Sequence, residues 1–342
     1  MKALVLEEVS KFVYKDVETP LPGPGEIQMN VKACAICGSD VHGYDGSSGR
    51  RIPPMIMGHE ASGIVSAVGE GVTKFKVGDR IVFNSGWYCR DCYSCKTGHQ
   101  NVCDNGCCYG VQTETYGRPG ALCEYIIVPE YIVYPMPDSV SYDEGAMIEP
   151  LAIACHAVNG ADIKVNDTAV IFGAGVIGLM LLKVLKTTGC GKVYVVELDE
   201  VKKEIARKNG ADLVIDGRED VPAKIKELTN GRGADLAFEA IGISKTITNA
   251  LLSLRKNGTL VQVGNVTKEV TVPLQAIVMN ELKITGRYAT STEYEQAIAL
   301  VESGKVSVAD CISKAAPLQD GQEWFDRLHA AEPGLVKVVL NP

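Results

Sequence analysis

The 342-residue chain lacks an excess of positive charge, and it lacks any long hydrophobic run. Its 34 Lys and Arg residues against 42 Asp and Glu residues give a formal net charge of −8. This balance argues against nucleic acid or an anionic membrane as a partner. The chain has no run of about 18 apolar residues, so the sequence predicts no membrane-spanning helix. The N-terminal residues alternate like a strand, without the apolar core of a signal peptide, so we expect a cytoplasmic protein.

Internal repeats, low-complexity segments and long charge runs are missing as well. Hydrophobic residues make up 46% of the chain and charged residues 22%, which is typical of a folded protein rather than a disordered one. The length predicts one very large domain or two ordinary ones, and either arrangement can bury a full core.

Cysteines, by contrast, are abundant, and eight of the twelve fall between positions 34 and 108. Because the cytoplasm disfavours disulfides, clustered thiols there indicate metal binding or chemistry. The strongest pattern is Cys89-x2-Cys92-x2-Cys95-x7-Cys103. Four thiolates so closely spaced can surround one tetrahedral zinc ion and fill every position, so the predicted role is structural. Cys107 and Cys108 lie nearby but break the spacing.

The chain divides into three zones of different texture. Residues 1–150 are rich in Gly, Cys and Pro and contain short alternating stretches, which predict a mainly β domain. Residues 162–287 alternate apolar strands with helical patterns and predict a parallel, doubly wound α/β sheet. Residues 292–342 offer two helices and a final strand. The strands predicted in the middle zone are 169–172, 193–197, 213–215, 236–239, 259–263 and 282–285.

A Gly-x-Gly-x-x-Gly pattern lies between the first strand of the middle zone and a helix predicted over 175–187. Gly173 allows a tight turn, Gly175 lets the backbone approach a pyrophosphate, and Gly178 permits close helix–strand packing. Val176 and Ile177 complete the motif at the helix N-terminus, where free N–H groups favour anions. The pattern predicts a dinucleotide site.

An acidic residue ends the next apolar strand. Glu197 lies 19 residues after Gly178, where a carboxylate accepts hydrogen bonds from the adenosine ribose. The same charge repels a 2′-phosphate, so the sequence favours NAD over NADP. Lys202 is a candidate neighbour of the ribose or the pyrophosphate, with a surface role as the alternative.

A second metal constellation is dispersed along the chain. It comprises Cys37, the pair His59-Glu60 and the much later Glu149. One thiolate, one imidazole and one carboxylate form a plausible three-ligand zinc site with an open position for water or substrate. The predicted zinc content is therefore two ions per chain, one catalytic and one structural.

Taken together, these motifs resemble the zinc-containing medium-chain dehydrogenase/reductase family. The resemblance spans essentially the whole chain. It implies a Rossmann domain over 154–287 and a discontinuous, GroES-like catalytic domain over 1–153 and 288–342. The matching motifs are Cys37-Gly38-Ser39-Asp40-x-His42, Gly58-His59-Glu60-x2-Gly63-x5-Gly69, Val77-Gly78-Asp79-Arg80-Ile81-Val82, the four-cysteine loop and the glycine motif.

Within that family the chain resembles the sorbitol (polyol) dehydrogenase branch. Glu149-Pro150 stands where simple alcohol dehydrogenases usually carry a cysteine, and Arg287-Tyr288 is also similar to the polyol branch. The resemblance implies that Cys37 and His59 hold the catalytic zinc, while Glu149, Glu60 and water share the remaining positions. Family members differ over which glutamate binds directly. We favour Glu149, with Glu60 able to replace it. One departure is Gly43, where sorbitol dehydrogenases tend to carry an aromatic residue.

The resemblance also implies a chemistry, in which a hydride passes between a secondary alcohol and NAD while zinc acts as a Lewis acid. Ser39 is placed to take the released proton, and the implied relay continues through the cofactor ribose to His42. Asp40 is a candidate for orienting His59, because ligating imidazoles donate their other N–H to an acceptor. Glu149, Arg287 and Tyr288 are the candidates for holding substrate hydroxyls.

Two alternatives to a polyol or sugar-type substrate remain open. One is the same chemistry on L-threonine or a small diol such as butanediol. The other, from a different class, is a zinc-free nicotinamide-binding structural or regulatory protein, which would need none of the four catalytic donors. The resemblance further implies a homo-oligomer, a dimer or a tetramer, whose nucleotide sheet continues across a partner through the edge strand near 282–285.

Overall fold

The computed structural model describes residues 1–342 and divides them into two compact units. The first unit comprises Met1–Ala152 and Thr290–Pro342, and the second comprises Ile153–Ala289. The chain therefore leaves the first unit once and returns to it near the C-terminus. No helix is both long and apolar enough to cross a membrane.

Strands and helices are numbered separately in chain order. The strands are β1 (Lys2–Glu8), β2 (Lys11–Asp16), β3 (Glu26–Ala35), β4 (Met55–Ile56), β5 (Glu60–Val68), β6 (Arg80–Phe83), β7 (Gly86–Trp87), β8 (Cys107–Cys108), β9 (Val111–Gln112), β10 (Gly117–Arg118), β11 (Tyr125–Pro129), β12 (Val133–Pro135), β13 (Thr168–Phe172), β14 (Lys192–Glu197), β15 (Leu213–Asp216), β16 (Ala234–Glu239), β17 (Leu254–Gln262), β18 (Lys283–Gly286), β19 (Ile312–Pro317) and β20 (Lys337–Asn341). The helices are α1 (Gly38–Tyr44), α2 (Tyr93–Lys96), α3 (Tyr142–Ala146), α4 (Ile148–Asn159), α5 (Val176–Leu185), α6 (Glu200–Lys208), α7 (Val221–Leu228), α8 (Ser244–Ser253), α9 (Leu274–Met279), α10 (Tyr294–Glu302) and α11 (Gly321–His329).

The first unit is mainly β, as its sequence predicts. A seven-stranded sheet runs in the order β12-β6-β5-β3-β20-β19, with β11 also paired to β3. A three-stranded sheet, β2-β1-β4, accompanies it. Alternating apolar residues of these strands, such as Ile27, Met29 and Val31 of β3, are buried in one core. That alternation is the period-two pattern of a sheet with one face in the core.

The register of the central strands brings three distant segments side by side. Ala35, the last residue of β3, lies opposite Glu60 of β5 and opposite Val339 of β20. The short helix α1 follows β3 after a two-residue connection. The start of β5, the start of α1 and the C-terminal strand therefore meet at one end of the sheet. This end carries the candidate metal donors.

One of the alternating stretches that predict a mainly β first domain, residues 121–128, is a strand only in part. The alternating residues 121–128 form a strand only from Tyr125, because the preceding residues bond to a different segment. Ala121 N and Leu122 N donate to the carbonyl oxygens of Gly58 and Met57 at 2.9 Å each. The apolar alternation continues through this segment, but the hydrogen-bond partner changes.

The second unit is the predicted doubly wound sheet. Its six strands pair in parallel in the order β15-β14-β13-β16-β17-β18. The order reverses between β13 and β16, and ligands of such sheets bind beside this switch point, at the carboxyl ends of the strands. Residues 169–172 of β13 and all of β16 are buried, as expected for strands covered by helices on both faces.

Candidate metal centres and cofactor site

Cys37, His59 and Glu60 come together at the end of the first unit's large sheet. One ligand atom from each lies within 4.8 Å of the other two. Cys37 lies just before α1, and Glu60 begins β5 with His59 directly before it. His59 and Glu60 are 5% and 1% exposed. Cys37 thus converges on one point with the adjacent pair His59 and Glu60, which begins 22 positions later in the sequence.

The imidazole of His59 faces the carboxylate of Asp40. Asp40 Oδ2 lies 3.4 Å from His59 Nδ1, and neither atom has a hydrogen-bond partner. Burial alone lowers the pKa of the His59 imidazole, but the charges of Asp40 and Cys37 more than offset it, and the pKa lies well above its ordinary value. Because Nδ1 faces Asp40, Nε2 is left to face the donor cluster, as in carboxylate–histidine–metal arrangements.

Glu60 is paired with a buried lysine from the C-terminal strand. Lys337 Nζ donates to Glu60 Oε2 at 2.6 Å and to the Ile36 carbonyl oxygen at 3.0 Å. Burial lowers the pKa of Lys337, whereas the Glu60 charge raises it and prevails. The lysine stays charged and neutralises one carboxylate of the cluster.

Glu149 lies near these donors but outside the triplet. Its Oε1 accepts a hydrogen bond from Ser85 Oγ at 3.1 Å, and its Oε2 is buried with no partner. Burial, together with the charge of Glu60, raises the pKa of Glu149 to about 7. From the sequence we favour Glu149 over Glu60 as the ligand. In the structure, however, it is Glu60 that lies with Cys37 and His59, and Glu149 is a second carboxylate near them.

The two proposed proton-relay residues lie on α1. Ser39 Oγ donates to Cys37 Sγ at 3.3 Å, so the hydroxyl is adjacent to the donor triplet. His42 is exposed in the last turn of the helix. The structure therefore places one hydroxyl at the donors and one imidazole at the surface of the same helix.

The four-cysteine loop folds into a second cluster. The sulfurs of Cys89, Cys92, Cys95 and Cys103 all lie within 4.8 Å of one another. The Asp91 and Cys92 backbone N–H groups donate to Cys89 Sγ at 3.4 and 3.3 Å. These donors lower the pKa of Cys89 to about 6, which favours the thiolate form that a metal requires. Cys107 and Cys108 form β8 and pair with Gly86–Trp87.

In the second unit, the glycine motif makes the predicted strand–turn–helix. Gly173 has φ 96°, and a Cβ on Gly178 would lie 1.8 Å from the Gly173 carbonyl oxygen. A Cβ on Gly175 would meet nothing within 4 Å. Val176 and Ile177 open α5. The first and third glycines are thus required by the fold, whereas the second leaves open space at a helix N-terminus, where phosphates bind.

Glu197 at the end of β14 closes onto this turn. Its Oε2 accepts from Ala174 N at 2.7 Å, and its Oε1 accepts from Leu198 N at 2.6 Å. Lys202 lies in the first turn of α6, and its backbone N–H donates to the capping carboxylate of Asp199 at 2.9 Å. The acid is thereby held beside the glycine turn, with lone pairs left for a ribose.

Arg287 and Tyr288 follow β18 in the second unit. Arg287 Nη2 donates to the Gly160 carbonyl oxygen at 2.7 Å, and Arg287 Nε is buried with no partner. A Cβ on Gly160 would lie 1.8 Å from Arg287 Cζ, so the guanidinium is seated on the end of α4. Tyr288 is 48% exposed.

Comparisons with known proteins agree with this arrangement. The family model described as Alcohol dehydrogenase GroES-like domain matches residues 23–138, and that described as Zinc-binding dehydrogenase matches residues 176–303. The probable D-xylulose reductase A of Aspergillus niger is 36% identical over 349 residues, covering 96% of this chain and 94% of that protein. These matches decide the family. The chain belongs to the zinc-binding medium-chain alcohol and polyol dehydrogenase family.

Solved structures of this dehydrogenase family superpose closely on the chain. An Escherichia coli oxidoreductase/dehydrogenase of unknown specificity aligns with a TM-score of 0.94 at 31% identity, covering 99% of this chain and 98% of that one. The 2R,3R-butanediol dehydrogenase of Bacillus subtilis aligns with a TM-score of 0.89 at 32% identity, covering 100% and 99%. They confirm the GroES-like plus Rossmann-type fold predicted from the sequence.

The donor sets of this family member fit zinc. A thiolate, an imidazole and a carboxylate are the ligands of catalytic zinc sites, and four thiolates are those of structural ones. The buried Glu149 Oε2 has no hydrogen-bond donor. An orphaned carboxylate oxygen beside three metal donors is the arrangement expected where a cation binds, because burying it otherwise costs free energy.

Sequence reasoning missed three residues around the candidate metal donors of this dehydrogenase. They are Lys337, Ser85 and Arg51, whose Nη2 donates to Asp40 Oδ1 at 2.6 Å. Lys337 had a signal, because it is the only charged residue within the apolar strand 336–340. A charged residue at a buried strand position needs a partner. Arg51 and Ser85 had none, because nothing in their neighbouring residues separates them from ordinary loop positions.

Proposed function

We propose that this dehydrogenase interconverts a secondary hydroxyl of a polyol or sugar-derived substrate and the corresponding ketone, with NAD as the hydride carrier. The observation that carries the proposal is the convergence of Cys37, His59 and Glu60 with the orphaned carboxylate of Glu149 beside them. The name of the Aspergillus relative, D-xylulose reductase, supports a polyol class of substrate.

Cys37, His59 and a glutamate would hold the catalytic zinc. When bound, zinc supplies a Lewis acid that makes a substrate hydroxyl more acidic. Ser39 Oγ, which lies 3.3 Å from Cys37 Sγ, would accept the substrate proton while its own hydroxyl proton passes to the next member of a relay. His42 on the same helix would release a proton to solvent at the end of that relay. Asp40 keeps His59 in the tautomer that presents Nε2 to the donors.

Two glutamates with different surroundings have different roles at the metal centre. Glu60 is neutralised by Lys337, so it can approach or leave the donor cluster without leaving an unpaired charge. Glu149 is bonded only through Oε1, so its Oε2 can bind the metal or a second substrate hydroxyl. Arg287 and Tyr288 are proposed to hold further hydroxyls. Two carboxylates close to the metal donors suit a substrate with several hydroxyl groups.

NAD is proposed over NADP because Glu197 is fixed at the glycine turn. Its two oxygens accept backbone N–H groups at 2.7 and 2.6 Å, which holds the negative charge where a 2′-phosphate of NADP would lie. Gly175 supplies the open space for the pyrophosphate. Lys202 lies one helical turn away, as a candidate contact for the ribose or the phosphates.

A reducing, cytoplasmic location is also proposed. All twelve cysteines are free thiols, although several lie close enough to bind one metal ion. Thiols grouped in this way persist where disulfide formation is disfavoured.

The test combines metal analysis with a substrate screen. Purified enzyme should contain two zinc ions per chain and reduce NAD, followed by NADH absorbance, with polyols in a panel that also holds sugar acids, sugar phosphates, L-threonine and 2,3-butanediol. Cys37→Ser should abolish turnover and remove one zinc, while NADH binding and folding are retained. One zinc or none in the parent enzyme, or turnover of L-threonine or butanediol with no activity on polyols, would contradict the proposal.

A further inference from the structure

Arg51 contacts residues next to the candidate metal donors, although none of the sequence motifs includes it. Its Nε and Nη2 donate to Asp40 Oδ1 at 2.9 and 2.6 Å, and Nη1 donates to the Arg50 carbonyl oxygen at 3.0 Å. The Arg51 and Asp40 side chains are 4% and 0% exposed. Two nitrogens of the buried guanidinium thus donate to the same carboxylate oxygen, Asp40 Oδ1, and these charge-assisted bonds hold the carboxylate with its other oxygen directed away from Arg51.

Two branches lead from Arg51 to the proposed ligands. In the first, Arg51 occupies Asp40 Oδ1, which leaves Asp40 Oδ2 facing His59 Nδ1 at 3.4 Å. In the second, Arg51 Nη2 donates to Ser39 Oγ at 3.3 Å, and Ser39 Oγ donates to Cys37 Sγ at the same distance. Because Ser39 accepts from a cation on one side, its own hydrogen is directed to the donor side.

Gly43 on α1 makes this position of Arg51 possible. A Cβ on Gly43 would lie 2.4 Å from Arg51 Cγ and 3.3 Å from Arg51 Cβ. These atoms lie close to the arginine backbone, so they cannot swing away as the end of a flexible side chain can. Any larger residue at position 43 is therefore incompatible with the present placement of Arg51, although helix propensity alone favours alanine over glycine there.

We propose that Arg51 is a positioning residue of the metal centre. Through Asp40 it sets the orientation of His59, and through its hydrogen bond to Ser39 it directs the Ser39 hydroxyl toward Cys37. Gly43 is required because only a residue without a Cβ leaves room for the Arg51 side chain. The inference rests on the proposed function, because it assigns Arg51 to the catalytic metal. It adds a residue whose effect reaches two ligands at once without touching the metal or the substrate.

The test compares Arg51→Lys and Gly43→Ala with the parent holoenzyme. Arg51→Lys keeps the charge but loses the two-nitrogen contact, and Gly43→Ala displaces the arginine without altering it. The matched control is Arg255→Lys, because Arg255 Nε also bonds a buried aspartate, Asp235 Oδ1, at 2.6 Å but lies in the other unit. The measurements are zinc loss to dipicolinate, the visible absorption of the cobalt-substituted enzyme, and kcat and KM.

Both Arg51→Lys and Gly43→Ala should release one of the two zinc ions about 10-fold faster than the parent or more, the usual scale for losing an outer partner of a metal ligand. Their cobalt absorption should shift, and kcat should fall more than KM rises. Arg255→Lys should leave all three measurements unchanged. Unchanged zinc release and cobalt absorption in both variants, with two zincs in the parent, would overturn the role of Arg51 alone. A parent without a releasable second zinc would overturn the proposed function as well.

Discussion

Lys337 Nζ lies 2.6 Å from Glu60 Oε2, and the two side chains are 2% and 1% exposed. The two residues are 277 positions apart in the sequence. They meet because β20 and β5 both pair with β3, whose last residue, Ala35, faces Glu60 on one side and Val339 on the other. The C-terminal strand therefore supplies the cation that compensates a carboxylate of the metal centre.

Removing this lysine should be costly. Lys337→Met leaves the Glu60 charge buried and unpaired, and we expect a loss of about 3–5 kcal/mol in the free energy of unfolding, measured by urea denaturation. The control is Lys2→Met, which breaks the exposed Lys2–Asp16 pair at 2.8 Å and should leave the free energy of unfolding nearly unchanged, because solvent screens an exposed ion pair. Equal losses in the two variants would contradict the importance of burial.

Two substitutions in the glycine motif separate cofactor binding from folding. Gly175→Ala adds a Cβ that meets no protein atom within 4 Å, so the melting temperature should hardly change, while NADH affinity falls at least about 10-fold because the methyl group occupies the pyrophosphate space. Gly178→Ala adds a Cβ 1.8 Å from the Gly173 carbonyl oxygen, so the melting temperature should fall too. Fluorescence titration with NADH and thermal unfolding measure both. Unchanged affinity in Gly175→Ala would rule out the proposed pyrophosphate position.

The four-cysteine cluster predicts a pH-dependent reactivity once its metal is removed. Backbone N–H groups of Asp91 and Cys92 lower the pKa of Cys89 to about 6, whereas burial and its neighbours Cys103 and Cys92 raise the pKa of Cys95 to about 12. Only thiolates alkylate, and Cys89 is thiolate above its pKa. In chelator-treated protein, iodoacetamide should therefore modify Cys89 readily at neutral pH, and the rate should fall as the pH drops through about 6.

Peptide mass spectrometry of the same samples provides the comparison. Cys95 should react slowly at neutral pH, and zinc-loaded protein should resist modification at both cysteines, because the metal holds the sulfurs. Similar alkylation rates for Cys89 and Cys95 in chelator-treated protein would contradict the assignment. Modification of the zinc-loaded protein at the same rate would indicate that the loop holds no metal.

The exposed edge of the parallel sheet predicts self-association. β18 pairs on one side only, with β17, and Ile284 on this strand is 49% exposed, while Val278 and Met279 of α9 are 67% and 76% exposed. Open apolar edges are sites of pairing with another chain. We expect the parent protein to have the mass of an oligomer in light scattering after gel filtration, and Ile284→Lys should shift that mass toward the monomer. Leu21→Lys, at a loop position that is 82% exposed, should leave the mass unchanged; equal behaviour of both variants would contradict an interface at this edge.

Much of the fold follows from local sequence patterns. The parallel sheet was predictable because buried strands such as 169–172 and 193–197 are short, apolar and separated by helical periodicity. The turn at Gly173–Gly178 and the four-cysteine cluster were predictable because all their members lie within a few residues of one another. For such short segments, the spacing of the residues along the chain nearly determines where their side chains lie relative to one another.

The candidate metal centre could be predicted from the sequence only in part. The sequence by itself determined the donor types, Cys37, His59 and the two glutamates, since few other chemistries need those residues together. Only the tertiary structure decided that Glu60 joins the triplet while Glu149 bonds Ser85, and that Lys337 and Arg51 support the donors from behind. The physical reason is that local composition can mark Lys337 as a charge that needs a partner, but strand register, which brings together residues hundreds of positions apart, decides which partner it meets.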